Sequence, residues 1–120
     1  MGGLVARYYA QVLLRPLARL VCLATPHRGT TRAGYFTALP LAGELAPGSE
    51  TLALLERTRD RLSATRVLSI VAGRDTMVVP TQNAALDGHE VVELEELGHQ
   101  GILFDRGAWA HVERFVREPR

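Results

Sequence analysis

Val67-Leu68-Ser69-Ile70-Val71-Ala72, closed by Gly73-Arg74-Asp75, says more about the architecture than any other part of the chain. Five of its first six side chains are apolar, and none of the polar alternation of a half-exposed strand appears. Such a run reads as a strand covered on both faces, the habit of parallel sheets. Leu20-Val21-Cys22-Leu23-Ala24, ended by Thr25-Pro26, repeats the pattern on the N-terminal side. Glu90 to Leu94 supplies a third strand on the C-terminal side, broken by Gly98-His99-Gln100-Gly101.

Helical spacing fills the intervals. From Gly2 to Leu14, Leu4, Val5, Tyr8, Tyr9, Val12 and Leu13 recur at helical period, with Pro16 as the stop. Ser49 caps a second helix, Glu50 suits the positive end of its dipole, and Leu52, Leu55 and Leu62 give an apolar stripe. A short helical piece lies near Asn83 to Leu86. A last helix, Asp105 to Arg117, sets Ala108, Trp109, Val112, Phe115 and Val116 on one face. The order helix, strand, helix, strand, short helix, strand, helix is that of an α/β fold in which three parallel strands are flanked by helices. No repeat, low-complexity tract or interdomain linker divides residues 1–120.

Composition excludes several classes. With 47% hydrophobic and 22% charged residues at net charge +1, the chain is no disordered polymer. All 14 positive residues are arginine, and they alternate with 13 acidic ones. Arg57, Arg59 and Arg61, set among Glu56 and Asp60, read as a solvated helix face, so no nucleic-acid partner is expected. The single cysteine, Cys22, sits in an apolar run as a small buried hydrophobe and excludes an internal disulfide. No apolar stretch approaches the ~20 residues of a membrane span, so no transmembrane segment is expected. No signal-peptide pattern is visible, and cytoplasmic and secreted locations both stay open.

In doubly wound sheets the functional groups gather in loops at the carboxyl ends of the strands. Asp75 follows the second strand and His99 the third, where a carboxylate and an imidazole can meet, the acid fixing the tautomer of the base. His27 follows the first strand and competes with His99, while His89 and His111 lie away from any such end. An isolated aspartate after a turn is as often only a turn former.

A family resemblance separates the competitors. Met1-Gly2-Gly3-Leu4-Val5-Ala6-Arg7-Tyr8-Tyr9 resembles the segment directly after the serine in the Gly-His-Ser-Met-Gly-Gly nucleophile elbow of α/β-hydrolases. Leu23-Ala24-Thr25-Pro26-His27-Arg28-Gly29-Thr30 resembles the Thr-Pro-His-x-Gly-Thr segment of bacterial triacylglycerol lipases and related lipase-like hydrolases. Pro47-Gly48-Ser49 resembles a helix start of the same group. Ala72-Gly73-Arg74-Asp75 with Val78-Val79-Pro80 is similar to its acid loop, and Gly98-His99 to its histidine loop. The matches span nearly the whole chain, in the family's order of serine, acid, histidine.

The resemblance implies the C-terminal half of an α/β-hydrolase, a lipase- or carboxylesterase-like serine ester hydrolase. It makes His99 the general base, Asp75 its orienting partner and Met1 the donor of one oxyanion-hole amide, with Gly2 as the closing glycine of the elbow. The serine is then expected one residue before Met1, and the chain by itself is expected to be inactive. No metal or organic cofactor is implied, and the substrate is a small-molecule ester or acyl lipid. His27 becomes a structural or pocket-lining residue. Residues 31–46 fall where the family often carries lid or acyl-pocket elements, with Tyr35, Phe36, Leu39 and Leu41 as lining candidates beside plain core packing. Two rivals stand: an acyltransferase using the same triad, and a non-catalytic α/β module that binds a partner, or a second copy, through an unfinished sheet edge.

Overall fold

A computed structural model describes residues 2–33 and 42–119. Three strands, β1 (Arg19–Leu23), β2 (Arg66–Ala72) and β3 (Glu90–Leu94), form one parallel sheet in the order β1-β2-β3. Leu20 pairs with Val67 and Leu23 with Ile70, while Leu68 pairs with Glu90 and Ala72 with Leu94. The central strand carries the run Val67 to Ala72, interrupted only by Ser69, and six of its seven residues are buried. Its alternate side chains feed two layers. Leu68, Ile70 and Ala72 join Ile102, Ala108 and Phe115 beneath α3 (Arg106–Arg117). Val67 joins Leu20, Cys22, Leu62 and Ala10 beneath α1 (Gly2–Gln11). The fold is therefore α/β, with helices on both faces of a parallel sheet. No helix among the described residues is long and apolar enough to cross a membrane.

Capping fixes two of the helices. The Ser49 hydroxyl accepts the Leu52 N–H at 3.2 Å and opens α2 (Glu50–Arg57), and Asp105 accepts the Ala108 N–H at 2.9 Å to open α3. Each cap is worth roughly 0.5–2 kcal/mol. Leu62 lies beyond α2, in a separate turn of 3₁₀ helix, Arg59–Leu62. The short helical piece is likewise a 3₁₀ turn, Thr81–Ala84.

Two helix faces differ from expectation. Val5, Tyr8, Tyr9 and Leu13 are exposed, and α1 buries Arg7, Ala10 and Gln11 beside Leu4. The reason is steric and polar together. Gly3, Ala6 and Ala10 present the small surface on which a helix can sit close to a sheet, and Arg7 and Gln11, one turn apart, face α2. There both reach the Leu55 carbonyl, at 3.2 and 2.6 Å. In α3 the buried line is Ala108 and Phe115 with Val112 partly covered, while Trp109 and Val116 flank it and stay exposed. Trp109 instead donates its indole N–H to the Leu103 carbonyl at 2.7 Å.

β1 is an edge strand, pairing only with β2 among the described residues. The Arg66 N–H bonds the Ala18 carbonyl and the Ala24 N–H bonds the Ile70 carbonyl. By strict alternation the backbone groups of Arg19, Val21 and Leu23 point away from β2.

Candidate active site

Three loops leave the carboxyl ends of the strands on one side of the sheet, and two of them are laced together. The Gly73 N–H donates to the Leu94 carbonyl at 3.0 Å and the Arg74 N–H to the Leu97 carbonyl at 2.9 Å. This approach requires glycine, because a Cβ at position 73 would lie 2.5 Å from the Glu95 Cα. Gly98 is not constrained in this way; its nearest neighbour would be an ordinary 3.8 Å distant.

The lacing brings Asp75 and His99 together. His99 Nδ1 lies 2.8 Å from Asp75 Oδ2. The other carboxylate oxygen, Oδ1, accepts the Met77 N–H at 2.7 Å and the Val78 N–H at 2.9 Å. The Asp75 side chain is 1% exposed and that of His99 32%, so the acid is sealed and the base is open. With Oδ2 as acceptor, the neutral ring carries its proton on Nδ1 and leaves the Nε2 lone pair free. Nε2 has no hydrogen-bond partner among the described residues. A buried acid, an oriented imidazole and a free Nε2 are the parts that general-base chemistry requires.

His27 is built for something else. It is buried, accepts from Arg7 through Nδ1 at 3.3 Å, and so donates from Nε2 to the Ser69 hydroxyl at 3.4 Å. Burial first, and the Arg7 guanidinium second, push its pKa down to about 3. A general base must become a cation as it works. A sealed ring against an arginine resists that change, so the Ser69–His27 pair is a structural bridge between α1, the loop after β1 and the centre of β2.

No serine meets His99 among the described residues: Ser69 bonds His27, Ser49 caps α2, and Ser63 lies with Arg66 and Glu90 around a cavity lined also by Phe115. Cys22 is no substitute, since burial raises its thiol pKa to about 11. Met1, the expected oxyanion donor, lies outside the described residues, as do Tyr35, Phe36, Leu39 and Leu41 of the expected lid segment. The described flanks of that segment belong to the core, where Ala33 and Leu45 pack with Leu4, Leu52 and Leu55. Gly2 lies open, and it is Gly3 that needs its missing side chain, since a Cβ there would fall 2.2 Å from Thr25 Oγ1. Sequence reasoning missed the Met77 and Val78 amides and the Arg7–Gln11–His27–Ser69 network. A small-residue stripe through Gly3, Ala6 and Ala10 is the signal by which the inward face of α1 could have been found.

Set against known proteins, the chain matches no protein-family model and no curated protein sequence.

Proposed function

We propose that the chain carries the acid and base of a serine ester hydrolase of the lipase or carboxylesterase kind, the C-terminal half of an α/β-hydrolase. The observation that carries this reading is the 2.8 Å contact of Asp75 with His99 Nδ1, made at the ends of adjacent parallel strands with the other ring nitrogen open. In the proposed reaction His99 Nε2 takes the proton of a serine hydroxyl as its oxygen attacks the ester carbonyl. The proton then passes to the departing alcohol. A water molecule, deprotonated by the same nitrogen, opens the acyl-serine and regenerates both groups. Asp75 stays ionised throughout and stabilises the imidazolium.

The resemblance of Met1-Gly2-Gly3 to the elbow sequence supports a serine immediately ahead of Met1, with the Met1 N–H as one oxyanion donor. Transfer of the acyl group to another alcohol would use the same residues. The partner-binding reading keeps support from the outward backbone groups of β1 and from exposed Val5, Tyr8 and Tyr9, a surface that suits self-association or a further strand.

The coding sequence ahead of Met1 tests the proposal. An in-frame Gly-x-Ser preceded by an apolar strand is expected, and the protein including it should be labelled by a fluorophosphonate at that serine. A preceding sequence without such a serine would leave the partner-binding reading in its place.

A further inference from the structure

Asp75 is held by the backbone of residues 77 and 78, and that backbone is held by a side chain from another loop. Thr30, buried in the loop that follows β1, donates its hydroxyl proton to the Met77 carbonyl at 2.7 Å. The same oxygen accepts the Val79 N–H at 3.0 Å and the Arg32 N–H at 3.1 Å. One donor and two acceptor sites are all that a hydroxyl offers, and all three are used. Between the two clipped residues lies Val78, whose N–H joins that of Met77 on Asp75 Oδ1. The hydroxyl therefore closes the two ends of the tripeptide that grips the carboxylate.

Thr30 is itself anchored from the opposite direction. Its N–H bonds the Leu45 carbonyl at 2.8 Å, and the preceding Gly29, at φ +86°, leaves no room for a Cβ against Leu45 and Pro47. The clip thus belongs to a loop seated at the approach to α2, and its own anchor lies apart from the 77–79 turn. A carboxylate free to rotate would offer either oxygen to an imidazole. One fixed by two amides on Oδ1 offers Oδ2 in a single orientation.

We infer that Thr30 is a positioning residue for the acid–base pair: its hydroxyl holds the 77–79 turn so that the Met77 and Val78 amides fix Asp75 Oδ1 and leave Oδ2 to orient His99. This rests on the proposed role of that pair, and it makes the Asp75 orientation depend on a side chain whose hydrogen bonds go to neither Asp75 nor His99.

The test uses chain 1–120, with nitrogen-15 spectra of the His99 ring taken where the ring is neutral and amide exchange followed at Met77 and Val78. The unmodified protein and Thr30→Ser should hold His99 as the Nδ1–H tautomer. Thr30→Val, of the same shape without the hydroxyl, should move the ring toward the Nε2–H form that unconstrained imidazoles favour and speed exchange of both amides about tenfold. Thr31→Val, which removes a hydroxyl bonding the Val79 carbonyl from the exposed side, should do neither. A folded Thr30→Val protein with unchanged tautomer and exchange, whatever its loss of thermal stability, would overturn the inference. Asp75→Asn separates the two failures: if it leaves the tautomer unchanged, it is the Asp75–His99 pairing that fails. Should Thr30→Val not fold, the unmodified chain decides. The Met77, Val78 and Val79 amides should be protected as one block, and free exchange at Val79 would overturn the clip.

Discussion

Acidification should destabilise this protein through His27 well before its carboxylates are neutralised. The ring is buried against Arg7, and its pKa falls from an ordinary 6.5 to about 3. Above pH 6.5 the ring is neutral in both folded and unfolded chains and contributes no pH dependence. Below 6.5 the unfolded chain takes up a proton that the folded chain refuses until about pH 3, so stability falls as pH falls through that window, at about 1.4 kcal/mol per unit. Between pH 8 and pH 4.5 the loss is about 2–3 kcal/mol, a large share of the roughly 5–15 kcal/mol that holds a domain together. His89 is shifted the same way by burial and by Arg59, but it is only half-buried and adds less. Glu118, held down by Arg66 and Arg114, titrates below the ordinary carboxylate range and is silent in this window. The comparison is with His27→Gln, whose amide can still accept from Arg7 and donate to Ser69 but does not titrate. Urea unfolding at pH 8, 6.5, 5.5 and 4.5 should show the native chain losing about 2–3 kcal/mol more than the variant. Parallel pH profiles, or a His27 ring titrating near 6.5 in the folded chain, would rule out this source of acid sensitivity.

Three further outcomes are expected. Chain 1–120 should turn over short-chain nitrophenyl esters no faster than buffer, because the proposed acid and base without a nucleophilic serine form no acyl-enzyme; turnover abolished by a fluorophosphonate would contradict this. Gly73→Ala should destabilise the fold by roughly 1–3 kcal/mol and loosen the Asp75–His99 contact, since the added methyl meets backbone at Glu95; a crystal structure with the loops unmoved would disprove it. Chain 1–120 should self-associate as its concentration rises, given that β1 is an edge strand among the described residues and that Val5, Tyr8 and Tyr9 are exposed; sedimentation showing a monomer throughout would show that this surface takes no second copy.

The first two strands were legible because each is an apolar run without polar alternation, although only β2 is covered on both faces and β1 is fully buried at Leu20 and Cys22 alone, and the ends of all three fell within a residue of expectation. Ser49 and Asp105 marked helix starts through chemistry that needs no tertiary information. Asp75 and His99 stood out for a topological reason: strand-end loops of a parallel sheet share one side. The inward face of α1 was not legible from hydropathy, which ranks Tyr8 and Tyr9 above Arg7 and Gln11. The ranking is reversed by the Leu55 carbonyl, a backbone acceptor more than forty positions away. Thr30 was hidden in the same manner, since a threonine in a glycine-rich loop carries no sign that its partners are the backbone of residues 77 and 79.

The assignment of His99 as base stands or falls on the ester turnover of the protein extended through the sequence encoded ahead of Met1, compared with its His99→Ala and His27→Ala variants. Triad members act as a unit, so loss of the base costs nearly as much as loss of the nucleophile. His99→Ala is expected to lower kcat/KM by several orders of magnitude with folding intact, and His27→Ala to act chiefly on stability. A full loss of turnover in folded His27→Ala, with His99→Ala still active, would overturn the assignment and give the catalytic role to the other histidine.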